Sequence, residues 1–200
     1  MHGLINRTLQ VFIVDTYGAA CWAVVVRRAE VAPPEFEALL RYDAELTDRL
    51  MEAIATELGR PIDAVLEDVG TYLVSHPNAQ AIRRLLRFCG TDFVDFLYSL
   101  EDLPDRARLV LLDVHLPEID VTEEREDRFV IRCRGDLPWF SHLLAGLVRA
   151  MADDYGVLAV LEHARVAGGG SLHVSIIQSD YAEERDFVLG SLGRGGRCTQ

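Results

Sequence analysis

The 200-residue chain has no lysine; all 20 of its basic residues are arginine. Schiff-base chemistry and a phosphate loop built around a lysine are therefore excluded. Positive charge is scarce altogether, with 32 acidic residues against 20 basic ones and a net charge of −12. Nucleic acid and anionic membrane surfaces need clustered positive charge, so neither is an expected partner. Four cysteines (Cys21, Cys89, Cys133, Cys198) lie far apart, form no CxxC pair and sit mostly in apolar runs. That is the pattern of reduced core thiols, not of a disulfide framework. Six histidines (His2, His76, His115, His142, His163, His173) show no HxH or HxxxH spacing, so no metal site is expected. No apolar run approaches the roughly 20 residues that span a bilayer, and Met1 leads into an amphipathic pattern with no export signal. The expected location is cytoplasmic.

What is present is apolar and periodic. Half of the residues are hydrophobic, enough for a compact core. Helical spacing is read over 3–17, 19–29, a run starting at Asp43 or Thr47 and stopping at Gly59, 62–74 and 79–88. Pro33-Pro34 marks a turn between the second and third of these. The stretch from Gly90 to Pro117 carries the strongest buried stripe (Phe93, Phe96, Leu97, Leu100, Leu103), then a proline-marked break and a second helical run. After Pro117 the pattern changes to two strands around 119–122 and 129–133, a helix over 137–155, and two strands over 157–166 and 171–179. Helices followed by hairpins predict an α+β fold: a helical N-terminal two thirds, then a four-stranded antiparallel sheet with one intervening helix. One domain is expected over 1–185, with 186–200 as a flexible tail.

Little of this points to catalysis. There is no GxSxG elbow, and Ser141 and His142, adjacent on a helix, point about 100° apart and cannot pair as nucleophile and base. Glu101-Asp102 and Asp153-Asp154 read as solvated surface, and His163 and His173 as a pair facing each other across a surface hairpin. The glycines at 168–170 join two strands and make a turn, not a dinucleotide loop. No enzyme activity is expected.

Several strings, in this order, resemble the haem nitric oxide/oxygen-binding (H-NOX) sensors over about residues 1–180. They are the opening Gly3-Leu4-Ile5-Asn6-Arg7, Tyr17-Gly18-x-x-x-Trp22, Leu66-x-x-x-Gly70-x-Tyr72-Leu73 and Phe93-x-x-Phe96-Leu97-x-x-Leu100. The resemblance implies a haem b cofactor held by a proximal histidine on the helix that carries the Phe93-x-x-Phe96-Leu97-x-x-Leu100 string. Counted onto this chain, that histidine's position is Pro104, which has no lone pair to offer iron. The family's Tyr-x-Ser-x-Arg clamp on the haem propionates falls near Cys133-Arg134-Gly135-Asp136-Leu137, and no tyrosine occurs between Tyr98 and Tyr155. Other matches are kept: Ile5 corresponds to an apolar residue of the distal pocket and Pro117 to a proline packed on the haem face.

The resemblance implies a stand-alone regulatory protein, degenerate at its haem site, acting on a separate signalling partner of the histidine kinase or diguanylate cyclase class. Two alternatives stay open. One is a genuine haem gas sensor with His115 as the axial ligand and Arg132 or Arg134 meeting the propionates. The other is a haem-independent module that binds an apolar ligand or another protein, similar to the 4-vinyl-reductase-type domains. Ligand, partner and oligomeric state are left undetermined.

Overall fold

The structure is a computed structural model and describes residues 2–32, 34–110, 115–166 and 169–178. The expected tail at 186–200 and part of the glycine turn at 168–170 lie outside the described residues.

Four helices form the N-terminal layer: α1 (Gly3–Tyr17), α2 (Ala19–Arg28), α3 (Ala44–Leu58) and α4 (Ile62–Ser75). Their apolar stripes converge on one core containing Leu9, Phe12, Ile13, Trp22, Leu50, Ile54, Leu66 and Val69. Glycines punctuate the layer where the chain turns through positive φ, at Gly18 (φ 88°) and Gly59 (φ 62°). The N-terminus is pinned as well. His2 caps α1, its Nδ1 accepting from the Leu4 N–H at 3.2 Å, and the Gly3 N–H donates to the Leu40 carbonyl at 2.7 Å.

A short helix, α5 (Gln80–Arg87), leads to α6 (Phe93–Ser99), whose N-terminus is capped by Asp92. A 3₁₀ turn over Leu100–Asp102 then passes into α7 (Leu103–Val110). Pro104 explains this tightening. It has no N–H to give the Leu100 carbonyl four residues back, and the Leu103 N–H takes that carbonyl instead, three residues on. The proline-marked break of the sequence is thus a change of helical pitch. Residues 111–114, toward the expected end of this run, lie outside the described residues.

Strands β1 (Glu118–Arg125) and β2 (Arg128–Arg134) make one hairpin, closed at Asp127 with φ 63°. Helix α8 (Phe140–Asp154) follows, then β3 (Leu158–Val166) and β4 (Gly169–Gln178). The four-stranded sheet is antiparallel throughout, in the order β1-β2-β4-β3, so α8 joins two hairpins that meet at β2 and β4. Alternate residues face one way: Val121 pairs with Ile131 and Ile131 with Leu172, and all three are buried in a second core with Phe93, Phe96, Leu97, Leu144 and Met151. The α+β expectation agrees with this architecture.

Two readings of polar residues are corrected. Asp154 is not surface: it is 3% exposed and takes the Arg83 guanidinium on both oxygens, at 3.0 and 3.1 Å from Nε. Its helix buries it because Arg83 on α5 neutralises it there. His163 and His173 do not face each other, because the register pairs Glu162 with His173 and His163 with Leu172, placing them on opposite faces.

The two cores are held together where α4 crosses α8. A Cβ on Gly146 would run into the Glu67 backbone, and one on Gly70 into the backbone of Leu143. The helices therefore touch main chain to main chain, and the Thr71 hydroxyl donates to the Gly146 carbonyl at 3.3 Å. Gly146→Val should force them apart, costing about 3 kcal/mol and lowering the thermal midpoint by about 6–12 °C for a chain of this size; differential scanning calorimetry checks it.

Candidate functional site

Away from that crossing, the seam between the N-terminal helices and the sheet opens into a cleft of about 660 Å³. From the helical side it is lined by His2, the cap of α1, Ile5 of α1, Arg41 of the loop before α3, and Ala44 at the start of α3. The opposite wall comes from Arg108 of α7, His115, Leu116, Pro117 and Glu118 at the entry to β1, and Arg134, Gly135, Asp136 and Leu137 at the exit of β2. The two strand ends meet here because Glu118 pairs with Arg134 at the end of the hairpin. Gly135 (φ 153°) lets the chain leave β2 against the ring of Pro117.

Of the residues singled out in the sequence, Ile5, His115, Pro117 and Arg134 come together in this lining. Pro117 is buried and His115 exposed. Arg132, two residues before Arg134, is half-buried on β2 and lies outside the lining. Pro104 is buried in the first turn of α7, four residues before Arg108, and like Arg132 lies outside the lining.

Sequence reasoning missed His2, Arg41 and Arg108 as members of this lining. His2 sits three residues before Ile5 and Arg108 four after Pro104, so helical periodicity could have found both. Arg41 arrives through the fold, by a bridge between His2 and Arg41 and the Gly3–Leu40 hydrogen bond.

The helical segment ahead of Pro104 is tied to the sheet. Val121 lies on β1, an edge strand, and its N–H donates to the Glu101 carboxylate at 2.8 Å. One turn earlier, the Tyr98 hydroxyl donates to Glu123 at 2.9 Å, and that bond pushes the Tyr98 pKa up. The 3₁₀ turn thus covers part of an edge that would otherwise be open to pairing with another strand.

A second polar cluster lies on α8. The Ser141 hydroxyl is 2.7 Å from His163 Nε2, and the His142 ring stacks on His163 at 3.8 Å between centroids. Ser141 does find a histidine, from β3 and not from its neighbour in sequence. At 1% exposure its hydroxyl has no surface for a substrate, and the pair joins α8 to β3. The Cys133 thiol is buried too, and burial pushes its pKa up to about 12, which keeps it protonated and unreactive.

The haem-NO-binding family model matches residues 2–163, nearly the whole of the two layers and the cleft between them. This chain belongs to the haem-NO-binding family. Among its relatives, soluble guanylate cyclase gcy-31 of Caenorhabditis elegans is 23% identical over 154 residues, covering 77% of this chain and 22% of the relative. Soluble guanylate cyclase 89Db of Drosophila melanogaster is 22% identical over 155 residues, covering 78% and 23%. The chain thus spans less than a quarter of the length of these relatives. Among solved structures, an H-NOX protein from S. oneidensis in the Fe(II)NO ligation state is 17% identical, with a TM-score of 0.75 over 89% of this chain and 100% of that one. An unliganded Fe(II) H-NOX protein from K. algicida is 15% identical, with a TM-score of 0.77 over 92% and 100%. These likenesses show the H-NOX fold.

The family binds haem, but the donors present here do not fit a haem held in the expected way. At the position the resemblance gives the proximal histidine the chain has Pro104, a buried saturated ring with no donor atom. The exit of β2 offers Arg134, Gly135 and Asp136 where the Tyr-x-Ser-x-Arg clamp is expected. The imidazoles on the cleft belong to His2, whose Nδ1 is engaged as a helix cap, and to the exposed His115.

One consequence concerns the wall itself. Glu101→Ala leaves the Val121 N–H without its acceptor, and amide exchange at Val121 should quicken about tenfold, the equivalent of one ordinary hydrogen bond. Exchange at Ile131, inside the same hairpin, should stay slow; hydrogen–deuterium exchange read by NMR checks both amides.

Proposed function

We propose that this chain is a regulatory sensor domain of the haem-NO-binding family whose cleft receives its ligand without an axial bond from α7. The observation that carries this reading is the buried Pro104 in the first turn of α7, at the position the resemblance gives the family's ligand histidine. The binding role is carried instead by the shape and lining of the cleft, and the ligand is an apolar molecule or haem held loosely. The domain itself does no chemistry. Its output passes through α6, the 3₁₀ turn and α7, because that segment borders the cleft at Arg108 and grips the sheet edge through Glu101 and Tyr98. A ligand that shifts the wall must strain those bonds, which is how its presence reaches the surface.

The recipient is a separate signalling protein of the histidine kinase or diguanylate cyclase class, and the setting is the cytoplasm. Among the described residues no helix is long and apolar enough to cross a membrane.

A second reading keeps an iron-bound haem and rests on His115, whose side chain lines the cleft beside Pro117. Titration of the purified protein with haemin, followed by absorption spectroscopy, separates the two. The first reading predicts a broad, weak Soret band that is the same in His115→Ala and that excess free imidazole sharpens. A sharp Soret band in the unaltered protein that His115→Ala abolishes would establish the second reading and overturn the first.

A further inference from the structure

Helix α5 is turned inside out. Arg83 and Arg87 face the protein, where Arg83 pairs with the buried Asp154 and the Arg87 guanidinium lies 3.7 Å from the centre of the buried Tyr155 ring. Leu86 shares that inner face. Solvent is left with Ile82, Leu85 and Phe88, which are 39%, 54% and 71% exposed. Spaced three residues apart, they form one stripe along the outside of the helix. Single exposed apolar side chains are ordinary, whereas a contiguous stripe marks a contact surface.

The two ends of the stripe differ. At the N-terminal end Ile82 borders a groove of about 160 Å³ that it shares with Val11, Leu73 and Arg7. At the C-terminal end Phe88 borders a second opening, lined by Asp95 and Asp102. One end therefore offers an apolar groove beside a cation, and the other a projecting aromatic ring beside two carboxylates. Leu85 lies midway, three residues from each.

We infer that the outer face of α5 is the interface of a symmetric homodimer, in which a second copy of this chain packs antiparallel across a two-fold axis at Leu85. Each end then meets its opposite: Phe88 of one copy enters the groove of Val11, Leu73 and Ile82 in the other, and Arg7 of one copy faces Asp95 and Asp102 of the other. A two-fold interface makes each contact twice and so needs a surface complementary to itself, which this order of groove, ring, cation and carboxylates supplies. One short helix makes a small contact, so the dimer is weak and dissociates on dilution. The net charge of −12 on each copy opposes it until salt screens the repulsion. The inference is independent of the cleft and stands whether or not a ligand occupies it.

Sedimentation velocity at physiological salt, over chain concentrations from about 1 to about 200 μM, reads the association. The unaltered protein should pass from one chain to two across that range. Leu85→Asp should stay a single chain throughout and keep its thermal midpoint, since the side chain is exposed. Arg7→Glu and Asp102→Arg should each weaken the dimer about fivefold, because every rim pair occurs twice. Combined in one chain they should restore it, an outcome that a merely structural role for either residue does not produce. A single chain at every concentration, or a dimer that Leu85→Asp leaves intact, would overturn the inference. A double variant no tighter than the single ones would overturn the antiparallel pairing.

Discussion

The main-chain contact between α4 and α8 is the constraint on which the rest of the molecule depends. Gly70 and Gly146 bring the two helices close enough to bury the face that each layer leaves uncovered, and Trp139 and Leu143 pack against both cores. Two cores joined at one crossing leave a seam elsewhere. The seam opens ahead of α8, where the N-terminus of α1, the loop before α3, the exit of β2 and the entry to β1 converge. Each wall of the cleft is thereby attached to a different core. Anything that fills it bears on how the two halves sit together.

The segment of α6, the 3₁₀ turn and α7 reaches the cleft at Arg108. Its apolar stripe is buried deep in the sheet core, with Phe96 and Leu97 fully inaccessible and Phe93 and Leu100 nearly so. Its polar side holds the edge strand through Glu101 and Tyr98. A segment fixed on two sides moves as a unit or not at all, and a small displacement at Arg108 is therefore carried to β1. Pro104 has two effects on this segment. It tightens the helix ahead of it, and on the proposed reading it leaves no donor atom there for iron.

Much of this was legible in the sequence, for a physical reason. The helices and strands follow from where apolar residues recur, and the stripe from Phe93 to Leu103 showed its burial without any structure. The resemblance to the H-NOX sensors, carried by short strings along the chain, agrees with the family match and the fold. The position the resemblance gives the ligand histidine could be counted to Pro104 because it lies a few residues from that stripe. Less visible were features made by register and by chain return. The offset that separates His163 from His173 is one residue, and only strand pairing decides it. The burial of Asp154 needed Arg83 from a helix far away in the chain, and the Ser141–His163 bond needed α8 and β3 to meet. Arg41 reaches the cleft through a loop whose path no periodicity encodes. Local pattern was readable; partners distant in the chain were not.

The most direct test of the central claim restores the missing atom. Pro104→His, reconstituted with ferrous haem and examined by resonance Raman spectroscopy, should gain an iron–histidine stretching band that the unaltered protein lacks. The band should survive His115→Ala in the same background. An unaltered protein that already shows an iron–histidine band, or a Pro104→His variant that folds, takes up haem and shows none, would contradict the account.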